Sequence, residues 1–173
     1  MTGRHVVSVE TLMLRASTDS RWAYRRATTL PGPGEAPDQA ARRVCGVAAD
    51  APATVVHSTS WRYRPDGEIV LTYAVCPDPE PELPAIELPA LEIVGGDAPA
   101  TPAPDRIEVA NVVAHAIRHL AFLVAEDPVV RQALAHHPDV ITALNPAFNR
   151  AFTPWTQRYA TAFGGRTPAS VSR

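Results

Sequence analysis

The chain has 173 residues, of which 46% are hydrophobic, and its formal net charge is −2 at pH 7. This composition is sufficient for one domain with a hydrophobic core, and no apolar run approaches the length of a membrane span. All 16 basic residues are arginines, and the absence of lysine excludes a Schiff-base lysine, a pyridoxal phosphate attachment and a Walker A loop.

The charge is unevenly distributed along the chain. Residues 78–105 carry seven acidic residues and no basic residue, whereas the regions on either side are mildly basic. No arginine-rich face is apparent, so a nucleic-acid partner is disfavoured. Two cysteines are too few for a disulfide framework, and the N-terminus resembles a strand rather than a signal peptide. We therefore expect a cytoplasmic protein with no membrane partner.

Two strands are predicted first, at residues 5–15 and 22–28, where β-branched residues partly alternate with polar ones. A loop follows, because Pro31 and Pro33 remove backbone donors while Gly32 and Gly34 permit positive φ. Pro37 is then suited to the first turn of a helix, which we predict at residues 37–49.

A β-hairpin is the clearest element of the sequence. Its arms are residues 54–64 and 68–76, both rich in β-branched and aromatic residues, and Asp66-Gly67 is a favoured tight-turn pair. Proline is then dense from residue 77 to 105, so we expect an extended connection with one short strand at 90–94. This connection could act as a lid or merely as a spacer.

The C-terminal part is predicted to be helical. Residues 105–127 carry an apolar stripe at helical spacing, with Asp105 and Glu108 in a capping-box arrangement. Later helices are predicted to begin at the cap–proline pairs Asp127-Pro128, Asn145-Pro146 and Thr153-Pro154.

Residues 30–50 resemble the Nudix box, the loop–helix–loop signature of Nudix hydrolases, G-x5-E-x7-R-E-U-x-E-E-x-G-U with U a bulky aliphatic residue. The matching positions are Leu30-Pro31-Gly32, Gly34-Glu35, Pro37, Ala40-Ala41 and Arg43. The loop is shorter than in the family, and the family's glutamates would fall on Val44, Val47 and Ala48, with Asp50 at the closing glycine. Valine and alanine cannot hold the Mg²⁺ that bridges the substrate's phosphates.

The resemblance implies an α+β fold, a Nudix-like mixed sheet flanked by helices, with extra C-terminal helices. We predict a Nudix-like sheet and degenerate box helix in residues 1–77, a proline-rich acidic connection in 78–105, a helical part in 106–165 packed on the same domain, and a disordered tail in 166–173. The resemblance also implies a small-molecule cleft without the standard pyrophosphohydrolase activity. No cofactor is identified.

Histidines are the first candidates for chemistry. His115 and His119 lie four residues apart, on one face of the predicted helix, and could transfer protons or share a metal with a third group such as His57. Alternatively, both belong to the polar face of an amphipathic helix.

The strand around residues 57–61 supplies a second set of candidates. His57, Thr59 and Trp61 are expected to share one side of the strand, where Trp61 could stack on a ring; alternatively Trp61 lies in the core with His57 at its edge. We predict ligand contacts from Glu35, Arg43, Thr59, Trp61 and Arg62.

Four functions remain open. The first is a Nudix-like protein that binds or transforms a small molecule in the old cleft, and the second is an enzyme centred on His57, His115 and His119. The third is an interaction module or homodimer, formed through apolar side chains of the C-terminal helices, namely Leu120, Phe122, Leu123, Phe148 and Phe152. The fourth is a surviving Mg²⁺-dependent hydrolase with carboxylates from outside the box, for example Glu68, Glu92 or Glu108.

Overall fold

A computed structural model describes residues 6–92 and 107–145 of the chain. Its elements in chain order are β1 (Val6–Ala16), β2 (Trp22–Thr29), α1 (Pro37–Cys45), β3 (Val55–Tyr63), β4 (Glu68–Cys76), β5 (Ile86–Glu87), α2 (Val109–Glu126) and α3 (Pro128–Leu134). Residues 138–145 form a further helix, α4. The predicted mixed α and β composition is confirmed.

The five strands form one mixed sheet in the order β3-β4-β1-β2-β5. β1 pairs with β4 in parallel, and the other neighbouring strands are antiparallel. A parallel pair needs a crossover connection, which β2, α1 and β3 supply here. β1 therefore lies at the centre of the sheet, and β3 lies at one edge.

Helices cover both faces of the sheet. Alternate residues of β1 point to opposite faces, so Leu12 and Leu14 pack with α2, α3 and α4, whereas Met13 packs on the other face with Cys45 at the end of α1. Near the start of α1, Ala40 and Ala41 contact Val9. The α2 side holds the larger core, and the small residues of α1 let that helix approach the sheet closely.

The box helix is shorter than predicted. α1 begins at Pro37 as expected but ends at Cys45, because Gly46 adopts the left-handed conformation with φ of 68° and its N–H returns to the carbonyl oxygens of Arg42 and Arg43. Glycine tolerates this conformation without a steric penalty. Val47 is consequently in the loop after the helix, where it still packs against Val75.

The hairpin prediction is confirmed, and the segment after it is attached to the sheet. Residues 86–87 pair with β2 as strand β5, and the Leu88 side chain is buried in the α2-side core. The Asp78 carboxylate is buried and accepts hydrogen bonds from Arg25. The strand predicted at 90–94 is absent from residues 90–92, and the remainder of that connection lies outside the described residues.

The long helix begins later than predicted. α2 starts at Val109 with Glu108 as its N-cap residue, so Glu108 is not the third helical residue as expected; Asp105 lies outside the described residues. Seven residues of α2 are buried, and its mean hydropathy of 1.3 over 18 residues would, by length and composition alone, also permit a membrane span. Among the apolar residues proposed for an interaction surface, Leu120 is wholly buried, whereas Phe122 is exposed.

Asp127 caps α3 as predicted, since its side chain accepts hydrogen bonds from the N–H groups of Val129 and Val130. The helices predicted after Asn145 and Thr153, the aromatic residues Phe148 and Phe152, and the tail at 166–173 all lie outside the described residues.

Candidate functional site

A β-bulge in β3 decides which candidate residues face each other. His57 pairs with Ala74 and Trp61 pairs with Leu71, because the register shifts between Ser58 and Ser60. Ala74 and Leu71 are an odd number of residues apart on β4, so they point to opposite faces of the sheet. The expectation that His57 and Trp61 share one side is therefore wrong. Thr59 is the extra residue of the bulge, and the side chains that follow it in β3 therefore face the opposite side of the sheet from the one that strict alternation predicts.

Trp61 lies on the α1 side of the edge strand, and 70% of its surface is exposed. The alternative prediction that it belongs to the core is also wrong. Thr59 is buried in the bulge, where its Oγ1 donates a 3.4 Å hydrogen bond to the carbonyl oxygen of Thr72. The sequence-predicted ligand contacts are therefore divided, since Trp61 lies on the face opposite to His57 and the Thr59 hydroxyl is bound within the sheet.

His57, His115 and His119 come together between β3 and α2. The rings of His57 and His119 are stacked, with centroids 5.2 Å apart and 19° between their planes. The Nε2 atom of His115 lies 3.3 Å from the carbonyl oxygen of Thr59. A carbonyl oxygen only accepts hydrogen bonds, so this Nε2 carries a proton. The bulge thus orients one histidine of the group.

His119 has the environment of a base. Burial lowers the pKa of His119 below its ordinary 6.5, and the neighbouring His57 and His115 lower it further because their positive charges would repel a second one. Within the described residues, its Nε2 atom is buried with no hydrogen-bond partner. A neutral imidazole with an unused ring nitrogen can accept a proton from a bound molecule or donate one to it.

Arg62 lies on the histidine side of the sheet, but it binds a carboxylate that the sequence analysis did not single out. Its Nη1 and Nη2 atoms donate to the two Glu10 oxygens at 2.7 and 2.8 Å. Arg26 Nε donates to the same carboxylate at 2.7 Å, and the Thr72 hydroxyl donates at 3.0 Å. A glutamate on the buried face of β1, in line with Leu12 and Leu14, was the signal that could have identified this cluster.

The loop before α1 and the helix itself are joined by a separate ion pair. Arg43 Nε and Nη2 donate to the two Glu35 oxygens at 2.7 and 2.9 Å, and the Gly32 N–H donates to Glu35 at 2.7 Å. These contacts lower the pKa of Glu35 to about 2. The carboxylate partner of Arg43 is thus Glu35, eight residues earlier, and the two residues hold the loop against α1.

Of the other carboxylates considered for a metal, Glu68 pairs with Arg64 at 2.8 Å, and Glu108 lies at the N-cap position of α2. Among residues 6–92 and 107–145, no group of three histidine, cysteine or acidic side chains is arranged to hold a metal ion. Cys45 and Cys76 are buried free thiols, and burial raises the pKa of Cys76 to about 12, so this thiol stays protonated.

Comparisons with known protein families, with curated proteins and with solved structures give no match to this chain.

Proposed function

We propose that this protein is a Nudix-like domain that binds a small, non-nucleotide molecule beside the histidine cluster and transfers a proton to or from it. The observation that carries the proposal is the arrangement of His57, His115 and His119, which come from distant parts of the chain. Residues 6–92 and 107–145 give one buried ring nitrogen of this group, Nε2 of His119, no hydrogen-bond partner. His119 is the proposed base. Stacked His57 adjusts its basicity, and His115 is fixed by the Thr59 carbonyl oxygen.

The Nudix-like part of the proposal is supported by the order of the elements around α1 and by the short salt bridge between Arg43 and Glu35. The same region supports a change of chemistry. The Glu35 carboxylate is occupied by Arg43 and a backbone N–H group, and Val44, Val47 and Ala48 offer no oxygen ligands. The reactive groups therefore belong on the other face of the sheet.

The first experiment is a thermal-shift screen of the full chain with two panels. One panel contains nucleoside diphosphate derivatives with and without Mg²⁺, and the other contains small carboxylic acids and phosphate esters. A ligand at about 100 times its dissociation constant stabilises by roughly 2.7 kcal/mol, which is readily measured. We expect ligands in the second panel. A Mg²⁺-dependent shift with nucleotides alone would favour a surviving hydrolase instead, and no shift at all would favour the interaction module.

The second experiment tests the proton transfer itself. Each ligand is incubated with the protein in D₂O, and loss of its acidic C–H signal is followed by ¹H NMR. His119→Gln should slow exchange by about 100-fold or more, the usual contribution of a general base. His136→Gln, which changes an exposed histidine in the turn after α3, is the control and should leave exchange unchanged. Equal exchange in wild type and His119→Gln would exclude His119 as the base.

A homodimer is the second candidate, because Phe122 on α2 is a large apolar side chain exposed to 43%. Light scattering coupled to size-exclusion chromatography tests it. We expect Phe122→Ser to convert a dimer to a monomer if this face is the interface, and a wild-type monomer at all concentrations would exclude it.

A further inference from the structure

The cluster around Glu10 contains more positive than negative charge. The Glu10 side chain is 1% exposed and accepts hydrogen bonds from two arginines, whose side chains are 35% (Arg26) and 24% (Arg62) exposed. Burial by itself raises the pKa of Glu10, but Arg62 and Arg26 outweigh it and hold that pKa below 4.5, so the carboxylate is ionised. One carboxylate and two guanidinium groups leave a net charge of +1.

The excess charge is not compensated by the neighbouring ion pair on the same face. Arg64 and Glu68, further along the hairpin, form a pair of one arginine and one glutamate. Arg26 uses only its Nε atom on Glu10, and its two Nη atoms have no hydrogen-bond partner among the described residues. The pair of N–H groups at the end of a guanidinium group matches the two oxygens of a carboxylate or phosphate.

We infer that Arg26 and Arg62 form a binding site for the oxyanion of a small molecule, a carboxylate or a phosphate group, and that Glu10 holds both guanidinium groups in position. Arg26 makes the direct contact through its Nη atoms. Glu10 and the Thr72 hydroxyl fix the arginines, so little side-chain entropy is lost when the anion binds. The remaining charge of +1 makes the binding reversible rather than tight.

The site and the histidine cluster lie on the same face of the sheet but not side by side. Arg26 pairs with Leu12, Leu12 pairs with Ala74, and Ala74 pairs with His57. Three strand spacings, about 14 Å, therefore separate the backbone of Arg26 from that of His57. One molecule would have to be extended to bind Arg26 and also reach the histidines. Anion binding stands on the geometry of the arginines alone, and the identification of that anion as part of the substrate depends on the proposed function.

The test is a titration of the full ¹⁵N-labelled chain, following the arginine Nε–H signals by NMR. Phosphate and acetate are the two probes, and sodium chloride at matched ionic strength is the reference. We expect a saturable shift of the Arg26 signal with at least one probe. A shift with phosphate alone identifies a phosphate site, and one with acetate alone identifies a carboxylate site. No shift beyond that caused by chloride would overturn the inference.

Variants separate direct binding from general electrostatics. Arg26→Gln should weaken binding about tenfold, equivalent to about 1.4 kcal/mol. Arg26→Lys keeps the charge and the aliphatic stem and should lie between Arg26→Gln and wild type. The matched control is Arg21→Gln, which removes the same charge from an exposed arginine just before β2 and should leave affinity within about twofold. Equal weakening by Arg26→Gln and Arg21→Gln would overturn the site.

Glu10→Gln gives a prediction in the opposite direction. It removes the competing negative charge but keeps the shape of the side chain, so anion affinity should increase; an unchanged or lower affinity in a folded variant would contradict the assignment.

His119→Gln should not affect anion binding. If phosphate or acetate binds through Arg26 but no ligand undergoes exchange, the proposed proton transfer fails while the anion site stands. Exchange of a ligand C–H without anion binding at Arg26 would overturn the anion site and leave the proposed proton transfer standing.

Discussion

Two arginine–glutamate clusters lie on different sides of the same sheet, and the difference between them is one of stoichiometry. Beside α1, Arg43 and Glu35 form a bidentate pair of one arginine and one glutamate near the protein surface. On the α2 side, Glu10 is buried and receives both Arg26 and Arg62. The first cluster is electrically neutral, and the second carries an unbalanced positive charge.

This difference shows how the same ion-pair chemistry can serve two purposes. In the Arg43–Glu35 pair the nearby donors and acceptors satisfy each other, since the Gly32 N–H also donates to Glu35 and Arg43 Nη2 also donates to the Leu30 carbonyl oxygen. Such a pair fixes a loop and leaves little for a ligand. In the Glu10 cluster, the carboxylate orders two arginines, and the Nη atoms of Arg26 have no hydrogen-bond partner in the part of the chain that the structure describes.

Glu10→Ala should have the largest effect on stability. It leaves two partly buried guanidinium groups without a counter-charge, and removing one partner of a buried ion pair typically costs 3–5 kcal/mol. Because both arginines reach solvent, we expect about 3 kcal/mol, measured as a shift of the urea unfolding midpoint. A loss below about 1 kcal/mol would mean that the arginines are solvated independently of Glu10.

Glu35→Gln should destabilise the protein less, because the Arg43–Glu35 pair is open to solvent and salt screens it. The effect should depend on pH. The folded-state pKa of Glu35 is about 2, below its ordinary 4.5, so its stabilising contribution is present above pH 4.5 and is lost as the pH falls toward 2.

A double-mutant cycle with Arg43→Gln isolates this pair. The coupling between positions 35 and 43 should be favourable at neutral pH, should weaken as the pH falls to about 2, where Glu35 is half protonated, and should vanish below that pH. A coupling that persists unchanged in acid would show that packing rather than charge connects the two residues.

The sequence predicted most of the regular elements because their signals are local. Alternation identified β1 and β2, Asp66-Gly67 located the β3–β4 turn, and the cap–proline pair located α3. It missed β5, since a two-residue strand has no period. It also could not predict the parallel pairing of β1 with β4, because pairing between distant segments depends on the whole sheet.

The candidate site was predicted only where its signals are local in the sequence. The spacing of His115 and His119 on a helix is a local property, so their common face could be inferred, and His57 was suggested as a third member. The position of Trp61 was wrong because a single-residue bulge leaves no pattern in the sequence. Arg26 was not singled out, because an arginine in a strand usually indicates a solvated face.

His119→Gln should have the smallest effect at neutral pH and a distinct effect in weak acid. Because the folded-state pKa of His119 is lowered below 6.5, the fold disfavours the protonated ring. Its neutral form contributes stability that is fully present above about pH 6.5 and is lost as the pH falls through the folded-state pKa.

Urea midpoints measured between about pH 5 and 8 should therefore fall more steeply with decreasing pH in wild type than in His119→Gln. The other histidines are present in both proteins, so the difference between the two curves isolates His119, and His136→Gln should follow wild type. Superimposed curves for wild type and His119→Gln would mean that the cluster protonates without cost, and His119 would then have no reason to remain neutral as a base.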